Sequence, residues 1–492
     1  MSPWLALSPL LVVGIGSLTV MMVDAFSNKK DDLSILSSAI LIAAAAIAGS
    51  LWFGGLPPQT PEILAPYLAV DAMSQFFNIT ICGGAALCAM LAGGYLREHD
   101  LERGDFYSML MLCAFGAMVL SSATDLVSVF IGLETMSLGV YCLVAFRRGS
   151  ARAIEGAIKY FLLGSFAAAI LLFGSALLYG ATGHTDLLGI GQTIRNGNAE
   201  LGLALVAMSM LVVGLAFKVS AVPFHMWTPD AYEGAITPAT AFMSVVVKAA
   251  AFAVMLRVLI TCFGDPLSAG AASGWPPIIA VVAVVTMIYG NIAAIYQSNI
   301  KRMLAYSSIA HAGYILIGVV AAFRVQNTAV SAVLYYLMAY TVSNVLAFGS
   351  LIVMGTRGKE AVTFDDLAGA GKRHPMAALP FIIGMLSLMG FPPTAGFFGK
   401  YYVFNAALQA DSGMHWLVII AVIASAIGAF YYLRVIVYLF MKDPETGAPQ
   451  AVAMKSGYVV TALVLSAYFV LEMGITPSNY LKMALAAAAG LV

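Results

Sequence analysis

Along most of this chain, runs of about 20 apolar residues alternate with short polar turns, the length an α-helix needs to cross ~30 Å of hydrocarbon. Fourteen such runs lie near residues 3–23, 33–53, 72–96, 107–123, 125–146, 153–179, 201–227, 237–263, 276–298, 303–323, 328–355, 376–408, 416–441 and 456–474. The pattern predicts an all-α polytopic membrane protein. Its narrowest division lies between the fourth and fifth runs, where only Ser121 to Asp125 part them. The opening Met1-Ser2-Pro3-Trp4 lacks the basic region of a signal peptide, so the first run reads as a retained helix.

Basic residues orient the pattern, because cytoplasmic loops carry the excess of Lys and Arg. With the N-terminus outside, the inner loops hold Lys29, Lys30, Arg97, Arg103, Arg147, Arg148, Arg152, Lys301, Arg302, Arg357, Lys359, Lys372, Arg373, Lys442 and Lys455. The outer loops and tail hold only Arg195, Arg324 and Lys482. A missed or extra helix would scramble this alternation, so it supports both the helix count and periplasmic termini. Six basic residues remain inside the runs: Lys159, Lys218, Lys248, Lys400, Arg257 and Arg434. The two arginines lie roughly 10 Å from a helix end, near enough to snorkel, and read as structural.

Two runs are interrupted. One carries Lys218-Val219-Ser220-Ala221-Val222-Pro223-Phe224-His225, the other Gly390-Phe391-Pro392-Pro393-Thr394-Ala395-Gly396. Proline removes a backbone donor and frees carbonyls, which inside a membrane need a polar partner or a hydrated cavity. A shift of 175 residues aligns Ala157, Tyr160, Leu162, Leu171, Phe173, Gly174 and Ser175 with Ala332, Tyr335, Leu337, Leu346, Phe348, Gly349 and Ser350. That offset places the sixth run on the eleventh, an odd number of crossings, so the two units are inverted. The expected organisation is residues 1–106 as helices 1–3, 107–263 as the first unit (helices 4–8), 276–441 as the second (helices 9–13), and 456–474 as helix 14. Inverted repeats with broken helices place an ion path near the midplane.

Ionisable groups inside a membrane are costly and serve function by default. Glu134 lies roughly 18 Å from its inner helix end, too deep to snorkel, so it requires protonation or a cation, and Lys159 on the next helix is the topologically nearest one. Lys218 precedes the first break and Lys248 lies near a midplane. Burial favours the neutral amine and a carboxylate the ammonium, so an approaching or departing Glu134 would load and unload a lysine proton. Lys400 suits an outer gate. Lys159 and Lys400 are also near enough to an interface to snorkel, and capping of freed carbonyls stays open for Lys218 and Lys248. His225 and His311 fit either a relay or a satisfied core histidine. Asp230 and Glu233 read as solvated turn residues or as proton-entry groups.

Composition agrees, with 61% hydrophobic and 10% charged residues and a mean hydropathy of +0.92. The balance of 24 basic and 24 acidic residues offers no field for nucleic acid. Cys82, Cys88, Cys113, Cys142 and Cys262 lie in apolar runs without a C-x-x-C pair, so no metal, iron-sulfur or nucleotide site is expected in this chain.

The stretch Phe217-Lys218-Val219-Ser220-Ala221-Val222-Pro223-Phe224-His225-Met226-Trp227-Thr228-Pro229-Asp230-Ala231 resembles the signature of the antiporter-like subunits shared by respiratory complex I and Mrp-type cation/proton antiporters. Leu367 to Pro375, followed by Ser387 to Lys400, resembles the N-type subunits of proton-pumping NADH:quinone oxidoreductase. The resemblance runs across nearly the whole chain. It implies fourteen helices with inverted five-helix units, a relay glutamate at Glu134, and relay lysines at Lys159, Lys218, Lys248 and Lys400. Lysine at 400 argues against the M-type subunit, which has glutamate there, and the ending soon after Lys482 argues against the longer L-type. It further implies a bacterial inner-membrane location, neighbouring complex I membrane subunits and lipids as partners, and NADH, FMN, iron-sulfur clusters and quinone confined to other subunits. Protons would pass from cytoplasm to periplasm, driven by redox chemistry elsewhere. The motifs alone also permit a free-standing cation/proton antiporter.

Overall fold

The computed structural model describes residues 2–26, 33–54, 60–264, 274–355, 360–410, 412–444 and 456–491. Among the described residues, thirteen helices of spanning length and one divided helix follow one another: α1 Ser8–Phe26, α2 Leu33–Phe53, α3 Ala72–Glu98, α4 Asp105–Ser122, α5 Leu126–Val144, α6 Ala151–Thr182, α7 Leu201–Lys218, α8 Thr237–Phe263, α9 Trp275–Ile295, α10 Ile300–Ala321, α11 Gln326–Val353, α12 in two halves (Pro375–Met389 and Ala395–Ala410), α13 His415–Met441 and α14 Gly457–Ile475. All but α12 are individually long and apolar enough to span. Among the described residues there is no β-strand, only isolated bridges. Of the residues that orient the chain, Lys29, Lys30, Arg357, Lys359 and Lys455 lie outside the described residues, as does Met1.

Helix starts follow capping chemistry. Asp125 separates α4 from α5 because its Oδ1 accepts the Val127 N–H at 2.7 Å and the Ser128 N–H at 3.2 Å, satisfying donors that the first turn leaves free. Asp71, Ser150 and Asn299 do the same for α3, α6 and α10. Glycine at 183, with φ 74°, closes α6 in the left-handed region.

Burial sorts the bundle. In α8, α10 and α11, respectively 89%, 94% and 94% of the spanning window is buried, against 33% in α1 and 39% in each of α2, α6, α9, α13 and α14. The polar residues of α8, α10 and α11 therefore face protein and not lipid. Among the described residues, three helices of 8–12 residues extend outside the expected runs: Leu187–Arg195, Trp227–Gly234 and Pro477–Ala488. Each is well below spanning length, so a search for long apolar runs passes over it. The first is amphipathic, burying Leu187, Ile190 and Ile194 at helical spacing.

Candidate functional site

The first break is real. α7 ends at Lys218, Ser220 takes φ 64°, and helix resumes at Trp227. Protein groups take over the interrupted backbone: the Trp227 indole donates to the Phe217 carbonyl at 3.2 Å, and Thr286 of α9 accepts the Val222 N–H at 2.9 Å. Lys218 is 2% exposed. Its Nζ donates to Ser137 Oγ at 2.8 Å and lies 5.5 Å from the Tyr160 ring and 5.6 Å from the Tyr141 and Phe217 rings. This aromatic box compensates part of the ammonium's lost hydration. Ser137 is one turn beyond Glu134 on α5, and Glu134 is the carboxylate whose charge acts on Lys218. Glu134 Oε1 is itself buried without a hydrogen-bond partner.

Lys248 sits immediately after a π-helical turn, Met243–Val247, within α8. Such turns are rare and often mark functional positions. Its Nζ donates to both the carbonyl and the hydroxyl of Ser308 on α10, each at 2.5 Å. Ser308 Oγ lies 3.5 Å from the Tyr232 hydroxyl on the short helix after the first break. On the other side, the Tyr340 ring lies 5.4 Å from Lys248 and 5.1 Å from the His311 ring. His311, one turn beyond Ser308, bonds Tyr336 at 2.7 Å through Nδ1 and Tyr432 at 3.0 Å through Nε2.

Lys400 completes the line. Its Nζ donates to Met389 O at 2.8 Å and to Ser425 Oγ at 2.9 Å, over the Tyr314 ring at 5.0 Å. Met389 is the last residue of the first half of α12, so Lys400 satisfies a carbonyl that the second break frees. It does not snorkel, being 7% exposed. The break requires glycine at 396, where a Cβ would stand 1.9 Å from Ser387 O, and Gly390 turns at φ 87°. Tyr314 also meets His311, edge to face at 5.8 Å. Lys248, Tyr340, His311, Tyr314 and Lys400 thus form one buried file. Between Lys218 and Lys248 the hydrogen bonding is interrupted: Tyr160 stacks on the Trp227 indole at 3.9 Å, and Tyr232 follows.

Two sequence-derived placements are corrected. The expected Glu134–Lys159 pair does not form. Lys159, 43% exposed in its side chain, pairs instead with Glu155 at 2.6 Å and Asp230 at 2.7 Å, because its flexible stem reaches the polar rim. Asp230 and Glu233 are not merely solvated turn residues. They sit on the helix Trp227–Gly234, and both accept from Arg302 of α10, at 2.6 and 3.1 Å. His225 is buried but packs on Tyr289 at 4.6 Å, and no hydrogen bond joins it to the lysines. Arg257 turns inward, forking onto Asp71 at 2.8 and 3.1 Å and reaching Ser74. Arg434 stays at the rim, donating to the carbonyls of Ile295 and Gln297.

Glu360, which sequence reading passed over, is the acceptor of a second buried cluster. It receives the Tyr95 hydroxyl at 2.6 Å, the Thr237 hydroxyl at 2.5 Å and N–H at 3.3 Å, and Lys301 Nζ at 3.3 Å. Burial works against its charge, but Lys301, Thr237 and Tyr95 outweigh it and hold the carboxyl at about 2. It thereby clamps the ends of α3, α8 and α10. Among the described residues no group of His, Cys, Asp and Glu is arranged to hold a metal.

The model of the family described as "NADH:quinone oxidoreductase/Mrp antiporter, TM" matches residues 123–428. NADH-quinone oxidoreductase subunit N 1 of Sorangium cellulosum is 52% identical over 505 residues, spanning 99% of each chain. A chain of respiratory complex I from Thermus thermophilus with bound Aureothin superimposes with a TM-score of 0.80 at 32% identity, covering 96% of this chain and 98% of that one. A chain of the Mrp complex from Dietzia sp. DQ12-45-1b reaches a TM-score of 0.86 at 22% identity, over 100% of this chain and 98% of that one, a likeness of fold. With a family match over more than half its length and a relative similar from end to end, the chain belongs to the NADH:quinone oxidoreductase/Mrp antiporter family of membrane subunits, in its subunit N branch.

Proposed function

We propose that this chain carries protons across a bacterial inner membrane as a membrane-arm subunit of an NADH:quinone oxidoreductase. The observation that carries the reading is the buried file Lys248–Tyr340–His311–Tyr314–Lys400, with Lys218 and Glu134 at its head. Lysine amines, imidazole and hydroxyls exchange protons, and ionisable groups held inside membrane-spanning helices serve ion or proton movement by default. Protons enter from the cytoplasm beside Lys218, pass to Lys248 and His311, and leave past Lys400 to the periplasm, where both termini lie. The step from Lys218 to Lys248 crosses Trp227 and lacks a continuous hydrogen-bonded chain, so hydration there controls transfer. Glu134 sets the charge of Lys218, while Lys159 anchors the rim through Asp230. His225 has no place in this file.

Residues 107–263 and 276–441 act as the two inverted units, each with one broken helix. NADH, FMN, iron-sulfur clusters and quinone belong to other subunits, whose energy drives the transfer. Exposed apolar side chains of α5 and α6, among them Ile131, Leu138, Ile158 and Phe166, suit a neighbouring membrane subunit. Lys218→Ala and Glu134→Ala in the assembled complex should each depress proton pumping by inside-out vesicles and the coupled quinone reductase rate. Wild-type pumping with intact assembly sinks the relay. Cation/proton exchange by the chain alone, purified without flavin or iron-sulfur subunits, favours the free-standing antiporter.

A further inference from the structure

A groove of ≈ 610 Å³ runs down the outside of the bundle between the first half of α12 and α14, floored by Val353 at the end of α11. Its walls include Met376, Leu379 and Ile383 on one side and Val460 and Val464 on the other. From Pro375 to Ile383 the helix rises about 12 Å, most of the ~15 Å of one hydrocarbon leaflet. The walls are apolar and open, with Met376 82%, Leu379 51% and Val464 61% exposed.

Its mouth has the opposite chemistry. Arg373 and His374 line it, and Lys372 is adjacent. Among the described residues, Arg373 Nε is buried with no hydrogen-bond partner, and the guanidinium makes a single long hydrogen bond, a 3.4 Å donation from Nη2 to the Ala368 carbonyl. A guanidinium has five donors in a planar fork that fits a phosphate, so most of this one's capacity is unused. Lys372 holds only a loose, exposed pair with Asp443 at 3.4 Å.

An unspent cationic fork above an apolar slot, at the depth where headgroup meets acyl chain, has one matching occupant. We infer that this groove binds an anionic glycerophospholipid, its phosphate on Arg373 and one acyl chain between α12 and α14. Interhelical basic pockets at a membrane interface favour such headgroups. The site is independent of the proton path and stands whether or not that reading holds.

The test uses the assembled complex, reconstituted in vesicles of phosphatidylcholine with photoactivatable phosphatidylglycerol and, separately, with photoactivatable phosphatidylcholine. Label is mapped by mass spectrometry onto the peptides bearing Pro375–Ile383 and Val460–Ala467. Phosphatidylglycerol should label these peptides in preference, and Arg373→Gln should lower that label roughly tenfold, the factor one charge-assisted hydrogen bond supplies. Val464→Trp, which fills the slot and leaves Arg373 in place, should lower it as well, whereas Lys372→Gln should change it little. Equal labelling by the two lipids, label indifferent to Arg373→Gln, or crosslinks from these peptides to another subunit in place of lipid would each overturn the proposal.

Discussion

Replacing Glu360 with alanine removes the common acceptor of four donors at the ends of α3, α8 and α10. The heaviest consequence falls on Lys301, 1% exposed, whose ammonium loses its carboxylate and keeps only the Ala235 carbonyl. Deleting one partner of a buried pair costs about 3–5 kcal/mol. An independent route agrees: a carboxyl held at about 2 against an ordinary 4.5 corresponds to about 3 kcal/mol, at ~1.4 kcal/mol per tenfold change. Because the folded value is the lower one, this stabilisation is complete above about pH 4.5 and fades only as pH falls toward about 2. The deficit of Glu360→Ala should therefore be flat between pH 6 and 8. The assay is the half-life with which the chain stays in the detergent-solubilised complex at fixed temperature. If the whole loss falls on the unfolding rate, that half-life shortens by about a hundredfold or more. Glu360→Gln, which keeps an acceptor for Thr237 and Tyr95, should lose less. The decisive variant is Glu360→Ala with Lys301→Met, which removes the stranded charge and should recover much of the loss. A double variant no better than Glu360→Ala, or a deficit that changes steeply between pH 6 and 8, would refute the reasoning.

Arg257→Ala strands Asp71, which caps α3 and is otherwise held by the guanidinium fork; a loss of about 3–5 kcal/mol is expected in the same half-life assay, and a loss under 1 kcal/mol would show that the pair contributes little. Gly164→Ala places a Cβ 2.1 Å from the Tyr141 hydroxyl. It should displace Tyr141 from Lys218 at about 1–3 kcal/mol and slow pumping, with partial recovery on adding Tyr141→Phe; pumping unchanged by Gly164→Ala would remove the aromatic box from the mechanism.

How far these features could be read in advance depends on how local their causes are. The Asp125 boundary was legible because an N-cap acts on the two residues that follow it. Both breaks were legible because Pro223 and Pro392 disrupt a helix wherever they stand. The partner of Lys159 was not legible. Glu134 is close by chain order, yet Asp230, 71 residues away, makes the contact. Glu360 sits in an unremarkable polar loop, and only the arrival of Tyr95, Thr237 and Lys301 from three helices makes it a hub. The short helix Trp227–Gly234 lacked the length that marks a span, so Tyr232 and its approach to Ser308 were equally hidden.

By itself the sequence determined the apolar runs, the interruptions and the depth of Lys218 and Lys248, because the cost of moving each group into hydrocarbon is incurred residue by residue along one helix. The tertiary structure decided which of those groups meet. Contact between side chains on different helices depends on the rotation and crossing of each helix against its neighbours, quantities set by packing over the whole bundle. That packing turned Lys159 outward to Asp230, set Lys400 on the Met389 carbonyl, and aligned Lys248 and His311 through Tyr340.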